Sequence, residues 1–127
     1  MIVRLLLRFP LADAAEQQVF DPTASHGAPD LLNAEVLHAI NRFERRGEIG
    51  TDRAAGAVEA LGVLPIARYP TSTLVERAWA LRHNFTAYDA MYVALAEALE
   101  TRLVTVDEHL AKAARAHTAV EVMLLAS

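Results

Sequence analysis

Apolar residues along this chain follow two patterns, long segments with a helical period and short β-branched runs. In residues 31–46 the apolar positions recur at the spacing of one helix face, and Glu35 lies at the margin of that face. The stripe consists of Leu32, Val36, Ile40 and Phe43. Residues 103–106 (LVTV) form a short β-branched run, which predicts a buried strand. This alternation predicts a parallel sheet covered by helices on both faces.

The same patterns divide the whole chain into one α/β domain, residues 1–127. The predicted helices cover residues 2–8, 13–19, 31–46, 52–61, 73–82, 87–100 and 108–116. The predicted strands cover residues 25–28, 66–68, 103–106 and 120–123. Every proline falls between these elements, as expected for a residue that interrupts helices and sheets. Trp79 and Leu81 lie on an amphipathic segment, which predicts that both pack into the core.

An acid precedes the most apolar helix of the chain. Residues 90–99 are almost entirely apolar, so this helix has little surface to offer water, and Asp89 lies at its start. Two roles are open for Asp89. It could take part in a capping box with Thr86, three residues earlier, where the helix dipole favours negative charge. It could equally belong to a metal site.

Two further acids lie in comparable positions. Asp107 follows the predicted strand 103–106 and precedes a helix, at the edge where parallel sheets place their ligands. Its alternative role is an N-cap. Glu35 borders an apolar helix face, where a simple surface carboxylate is the alternative.

Composition narrows the function classes. The chain has no cysteine, which excludes disulfides, thiolate zinc sites and cysteine nucleophiles and fits a reducing cytoplasm. The histidines are too scattered to predict a zinc site. No apolar run approaches the roughly 18 residues that span a membrane, and no signal peptide is evident. The net charge of −4 is unusual for a protein that binds nucleic acid, although bound divalent cations would offset clustered carboxylates.

Several segments, in order and spacing, resemble the PIN-domain ribonucleases, and most closely the VapC-type toxins of bacterial toxin–antitoxin pairs. They are residues 28–37 (APDLLNAEVL), 64–66 (LPI), 77–82 (RAWALR), 86–90 (TAYDA) and 103–107 (LVTVD). The resemblance implies a three-layer α/β/α fold with a short parallel sheet. It also implies metal-dependent endoribonuclease activity.

By this resemblance Glu35, Asp89 and Asp107 are the catalytic, metal-site carboxylates, with Asn84 and Thr105 as supporting polar groups. Hard oxygen ligands favour Mg²⁺, or Mn²⁺, which would activate water for attack on an RNA phosphodiester. We therefore expect the three carboxylates to line one cleft at the carboxyl edge of the sheet. The resemblance further implies a cognate antitoxin and a homodimer. We expect helices 2–8 and 31–46 to form the partner surface, because they carry exposed-looking apolar residues such as Phe9 and Phe43. No membrane partner is expected.

The chain departs from the family at its start. PIN domains begin with a strand that ends in an Asp, in a Val-Asp-Ala-Ser type segment, whereas residues 1–8 (MIVRLLLR) look like the body of the following helix. The first strand and its Asp are therefore expected to be missing, and Asp13 is not assigned to the vacant role. A missing central strand would make the domain only marginally stable. Two alternatives remain: a non-catalytic PIN-like module that binds an antitoxin or partner, and a metal-free structural domain with three capping acids.

Overall fold

A computed structural model describes residues 1–4 and 25–125 of the chain. The strands in this part are β1 Ile2–Val3, β2 Gly27–Pro29, β3 Ala67–Tyr69, β4 Leu103–Thr105 and β5 Val122–Leu124. The α-helices are α1 Leu31–Arg45, α2 Thr51–Val63, α3 Val75–Ala80, α4 Ala87–Ala98 and α5 Glu108–His117, and a 3₁₀ turn spans Thr71–Thr73.

The five strands form one parallel sheet in the order β3-β2-β1-β4-β5. Ile2 pairs with Gly27 on one side and with Leu103 on the other, so β1 is the middle strand. From β1 the chain continues outward to β2 and β3, then returns to build β4 and β5 on the opposite side. The gap between the carboxyl ends of β1 and β4 is thus a topological switch point, where open α/β sheets place their sites.

The core lies between this sheet and its helices. Helix α4 contacts β1, β2 and β4, and six of its residues are buried, as its apolar sequence predicts. Helix α1 buries Leu32, Val36 and Ile40, which confirms the predicted stripe. The predicted three-layer α/β/α fold is confirmed.

The prediction that the first strand is missing was wrong. Residues 2–3 were predicted as part of a helix, with the central strand absent, but Ile2 and Val3 form that central strand and are each 1% exposed. Two β-branched residues bury more favourably between two parallel strands than on a helix surface. No slot is left open between β2 and β4, so the expected loss of stability from a missing strand does not apply. The rest of predicted helix 2–8, helix 13–19 and Phe9 lie outside the described residues.

Elsewhere the predicted elements shift by a few residues, with one real difference. Predicted helix 73–82 divides into the 3₁₀ turn and the short α3. Trp79 was predicted to be buried and is 67% exposed, because α3 packs on α4 through Ala78 and Leu81, while Trp79 lies on the outer side. Leu81 is buried as predicted.

No helix in the described ranges is long and apolar enough to cross a membrane.

Candidate functional site

The candidate site lies at the switch point, where Arg4 directly follows β1. The Arg4 backbone N–H donates to the Val104 carbonyl at 3.0 Å, which continues the β1–β4 pairing to the edge of the sheet. The Arg4 side chain therefore starts at the carboxyl end of the middle strand. Its side chain is only 10% exposed.

Two of the predicted acids meet at this side chain. Arg4 Nη2 donates to Glu35 Oε2 at 3.1 Å, and Arg4 Nη1 forms an ion pair with Asp89 Oδ1. The side chains of Glu35 and Asp89 are 24% and 21% exposed, so both carboxylates are half-buried. Helix α1 follows β2 and helix α4 crosses the middle strands, which is how residues far apart in sequence reach the same guanidinium. One cation thus holds two carboxylates.

Tyr92 fixes the other oxygen of Glu35. It is fully buried on α4, and its hydroxyl donates to Glu35 Oε1 at 2.7 Å. The Arg4 guanidinium carbon also lies 4.9 Å from the centre of the Tyr92 ring, within the range of a cation–π contact. Burial, followed by the negative charge of Glu35 and the hydrogen bond to it, raises the pKa of Tyr92 well above its usual range. The Tyr92 hydroxyl therefore stays protonated near neutral pH and donates its hydrogen bond to Glu35.

The start of α4 separates the two roles that were open for Asp89. Thr86 Oγ1 accepts a hydrogen bond from the Asp89 backbone N–H at 3.1 Å, so the threonine caps the helix. The Asp89 carboxylate instead pairs with Arg4. Asp89 belongs to the charged cluster of Arg4, Glu35 and Asp89, which we call the Arg4 cluster.

The start of α5 is built differently. Asp107 Oδ1 accepts hydrogen bonds from the backbone N–H groups of His109 at 2.9 Å and Leu110 at 3.2 Å. Thr105, which is buried, accepts from the Asp107 backbone N–H at 3.1 Å through its Oγ1. Asp107 therefore makes the N-cap, the alternative that the sequence left open, while standing at the same edge of the sheet as Arg4.

The predicted site residues come together only in part. Glu35 and Asp89 share one partner, whereas one oxygen of Asp107 is occupied by its helix. Of the two supporting groups, Thr105 contacts Asp107, and Asn84 is exposed in the turn before α4. Their predicted catalytic and metal-binding roles remain predictions.

The residues at this site do not fit a divalent cation as they are arranged. The Arg4 guanidinium already pairs with both Glu35 and Asp89, and a metal ion placed between them would lie against its positive charge. Within residues 1–4 and 25–125, no three acids or histidines are grouped so that they could hold a metal ion. The metal that the family resemblance implies is thus in conflict with the position of Arg4.

Arg4 is the site residue that sequence reasoning missed. When residues 2–8 are interpreted as one helix, Arg4 lies on a helix surface, where a single arginine does not indicate a functional site. The available signal was local: two β-branched residues, Ile2 and Val3, followed at once by a charged residue, which is also how a buried strand ends at a ligand edge.

Two other arginines near the α4 start have different partners. Arg77 makes two hydrogen bonds to Glu97, at 3.0 and 2.9 Å, and these bonds and the charge of Glu97 raise the pKa of Arg77. The guanidinium of Arg82 lies 4.3 Å from the centre of the exposed Trp79 ring. Arg77 therefore has a surface ion-pair role, and Arg82 and Trp79 form a separate exposed pair.

Residues 2–116 match the PIN domain. The chain belongs to the PIN domain family. The resemblance to VapC-type PIN ribonucleases drawn from sequence segments is confirmed.

Named relatives support the same assignment. The chain is 52% identical over 87 residues to "Ribonuclease VapC1" of Mycobacterium tuberculosis, an alignment covering 68% of this chain and 65% of that protein. It is 41% identical over 91 residues to "Ribonuclease VapC3" of the same species, covering 72% and 66%. It is 35% identical over 113 residues to "VapC ribonuclease Mb0985" of Mycobacterium bovis, covering 89% and 88%. The chain thus matches less than two thirds of the length of VapC1.

Proposed function

We propose that this PIN domain acts on RNA as the toxin of a toxin–antitoxin pair in the cytoplasm, hydrolysing phosphodiester bonds as an endoribonuclease. The observation that carries the proposal is the meeting of Glu35 and Asp89 at the carboxyl edge of a PIN-type sheet. Relatives whose printed names are ribonucleases support it. The proposal includes a cognate antitoxin and a homodimer as partners.

The part of each residue in this proposal follows from its contacts. Tyr92 donates a hydrogen bond to one oxygen of Glu35 and so fixes the orientation of this carboxylate near the carboxyl end of β1. Asp107 caps α5 directly after β4, the strand next to β1. A divalent cation such as Mg²⁺ or Mn²⁺ would supply water activation and charge stabilisation in this family. Because Arg4 holds the two acids, we derive no step through such a cation.

The Arg4 contacts favour a second candidate function. A PIN module that keeps the fold and the partner surface without cleaving RNA would have no need for a free pair of acids. Glu35 and Asp89 would then serve the stability of the fold through their ion pairs with Arg4. This is the non-catalytic alternative that the sequence left open.

One experiment separates the two candidates. Purified chain is incubated with structured RNA and Mg²⁺ or Mn²⁺, alongside Glu35→Gln and Asp89→Asn, with Arg77→Ala as a surface control outside the site. Cleavage that both site variants lose and Arg77→Ala keeps would support the ribonuclease. A folded chain that leaves RNA intact with either metal would support the non-catalytic module.

The partner part of the proposal has its own test. Phe43 on α1 is only half-buried and packs against the core, so it is a weaker candidate for a contact residue than its sequence suggests. Leu37 on the same helix is 45% exposed. Analytical ultracentrifugation of wild type and Leu37→Asp, with and without antitoxin, tests the surface of α1. A wild-type monomer at micromolar concentration that ignores antitoxin would contradict the partner proposal.

A further inference from the structure

We infer that the Arg4 guanidinium is a built-in counter-ion of the Glu35–Asp89 pair, and that it excludes divalent cations from this pair for as long as it stays in place. The inference concerns cation binding and does not require the chain to cleave RNA. It follows from the disagreement between the metal that the family implies and the arrangement of the described residues.

Geometry is the first argument. Arg4 reaches both carboxylates with different nitrogens, Nη2 to Glu35 and Nη1 to Asp89. A planar guanidinium with fixed donors suits such a bridging role. The cation therefore lies between the two acids rather than beside one of them.

Charge is the second argument. Two half-buried carboxylates that share a site repel each other, and a positive charge between them relieves this repulsion. Arg4 supplies that charge from within the chain, and its side chain is 10% exposed, less than either acid. A divalent ion would have to displace the guanidinium from both carboxylates, or lie next to it at the cost of like-charge repulsion.

The surroundings of Arg4 are the third argument. The guanidinium lies over the ring of the buried Tyr92, whose hydroxyl also binds Glu35. The backbone N–H of Arg4 is bonded to Val104 of the adjacent strand. The ring and both carboxylates thus contact the guanidinium, and the backbone bond fixes the start of the side chain, whereas Arg77 lies on the surface with a side chain that is 52% exposed.

The inference makes Arg4 the determinant of metal affinity at this site. Partners of metal ligands commonly change affinity by about 10- to 100-fold, and a cation bonded directly to both ligands should change it by about tenfold or more. Replacing Arg4 by Gln keeps a polar side chain of similar length without charge. Replacing Arg4 by Asp adds a third carboxylate at the carboxyl end of β1, where the PIN family resemblance places one.

The test measures Mn²⁺ binding by isothermal titration calorimetry and by the shift of thermal unfolding, without RNA. We expect the wild type and the matched control Arg77→Ala to show no Mn²⁺ binding that depends on Glu35 or Asp89. We expect Arg4→Gln and Arg4→Asp to bind Mn²⁺ at least about tenfold more tightly than wild type, most strongly for Arg4→Asp. Adding Asp89→Asn to either variant should remove the gain.

Two results would overturn the inference. The first is wild-type Mn²⁺ binding that Glu35→Gln or Asp89→Asn abolishes, because the pair would then accept a metal with Arg4 present. The second is an Mn²⁺ affinity that does not increase in either Arg4 variant. A variant that is unfolded and stays unfolded when Mn²⁺ is added counts in the same way, because a cation that fits the pair should replace the lost positive charge. Recovery of folding upon addition of Mn²⁺ would support it.

RNA cleavage is scored separately in the same variants. Tighter Mn²⁺ binding by Arg4→Asp without any cleavage would leave this inference standing and count against the proposed ribonuclease. Cleavage by the wild type together with metal binding at the pair would support the proposed ribonuclease and contradict this inference.

Discussion

The starts of α4 and α5 look alike in sequence and differ in what their acids do. Both helices begin with an acid close to a hydroxyl-bearing residue, Thr86 with Asp89 and Thr105 with Asp107. At α4 the threonine caps the helix and the carboxylate pairs with Arg4. At α5 the aspartate itself caps, and the threonine supports its backbone.

The difference comes from the position of each acid relative to its helix. Asp107 is the N-cap residue, so its side chain can reach the N–H groups of the first turn. Asp89 lies three residues after its N-cap, inside the first turn, where Thr86 already caps the helix, and its carboxylate pairs with Arg4. The same residue type thus serves the local helix in one case and tertiary structure in the other.

The largest difference in stability between the two helix starts is expected when each aspartate is replaced by asparagine, which removes the charge and keeps the shape. Asp89→Asn should lower the free energy of unfolding by about 2 kcal/mol, since it leaves a half-buried Arg4 with a single carboxylate. Asp107→Asn should lower it by less than about 0.5 kcal/mol, because asparagine caps as well as aspartate. Urea unfolding measures both. Equal losses would mean that the two acids do the same job.

Removal of the capping side chain should lower the free energy of unfolding by a similar amount at both helix starts. Thr86→Ala and Asp107→Ala should each lower the free energy of unfolding by about 1 kcal/mol, because each leaves backbone N–H groups of a first turn without an acceptor. The conservative Thr86→Ser should retain most of the stability. A loss from Thr86→Ala well below that from Asp107→Ala would argue that Asp89 can take over as the cap. Thermal and urea unfolding of the three variants give the comparison.

Tyr92→Phe tests the support of the Arg4 cluster from α4. Loss of the bond to Glu35 should lower the free energy of unfolding by about 0.5–1 kcal/mol near neutral pH. Because the pKa of Tyr92 is raised in the folded protein, its contribution is fully present below pH 10.0 and decreases as pH rises further.

Stability measured between neutral pH and strongly alkaline pH checks this sign. The wild type should lose stability more steeply above pH 10.0 than Tyr92→Phe does. The exposed Tyr88 provides the control, since Tyr88→Phe should follow the wild-type curve. Parallel curves for wild type and Tyr92→Phe would contradict a buried, neutral phenol at this position.

The smallest effect is expected outside both helix starts, at Trp79. Trp79→Ala should change the free energy of unfolding by no more than about 0.5 kcal/mol, because the ring is largely exposed and contacts Arg82 on the surface. Trp79 is the sole tryptophan of the chain, so fluorescence reports on it directly. Its emission should be solvent-like and readily quenched by iodide. A shielded emission would show that another surface covers the ring.

Patterns within single elements were enough to predict much of the fold. Helix α1 follows its apolar stripe, and α4 is buried because almost all of its side chains are apolar. Helix α3 is shorter than predicted and turns Trp79 outward, because its buried side carries Ala78 and is continued by Leu81 just after the helix. Amphipathic spacing alone did not indicate which side of α3 would face its neighbour.

By itself the sequence determined the α/β alternation, the PIN resemblance and the three acids, since these depend on residue spacing along the chain. Only the tertiary structure decided that Ile2 and Val3 form the middle strand, because a two-residue strand is stabilised by neighbours on both sides rather than by its own pattern. The same pairing carries Arg4 to Glu35 and Asp89, while Asp107 remains with its own helix. The reason is physical: a cap forms between residues close in sequence, whereas an ion pair forms between whichever charges the sheet brings together.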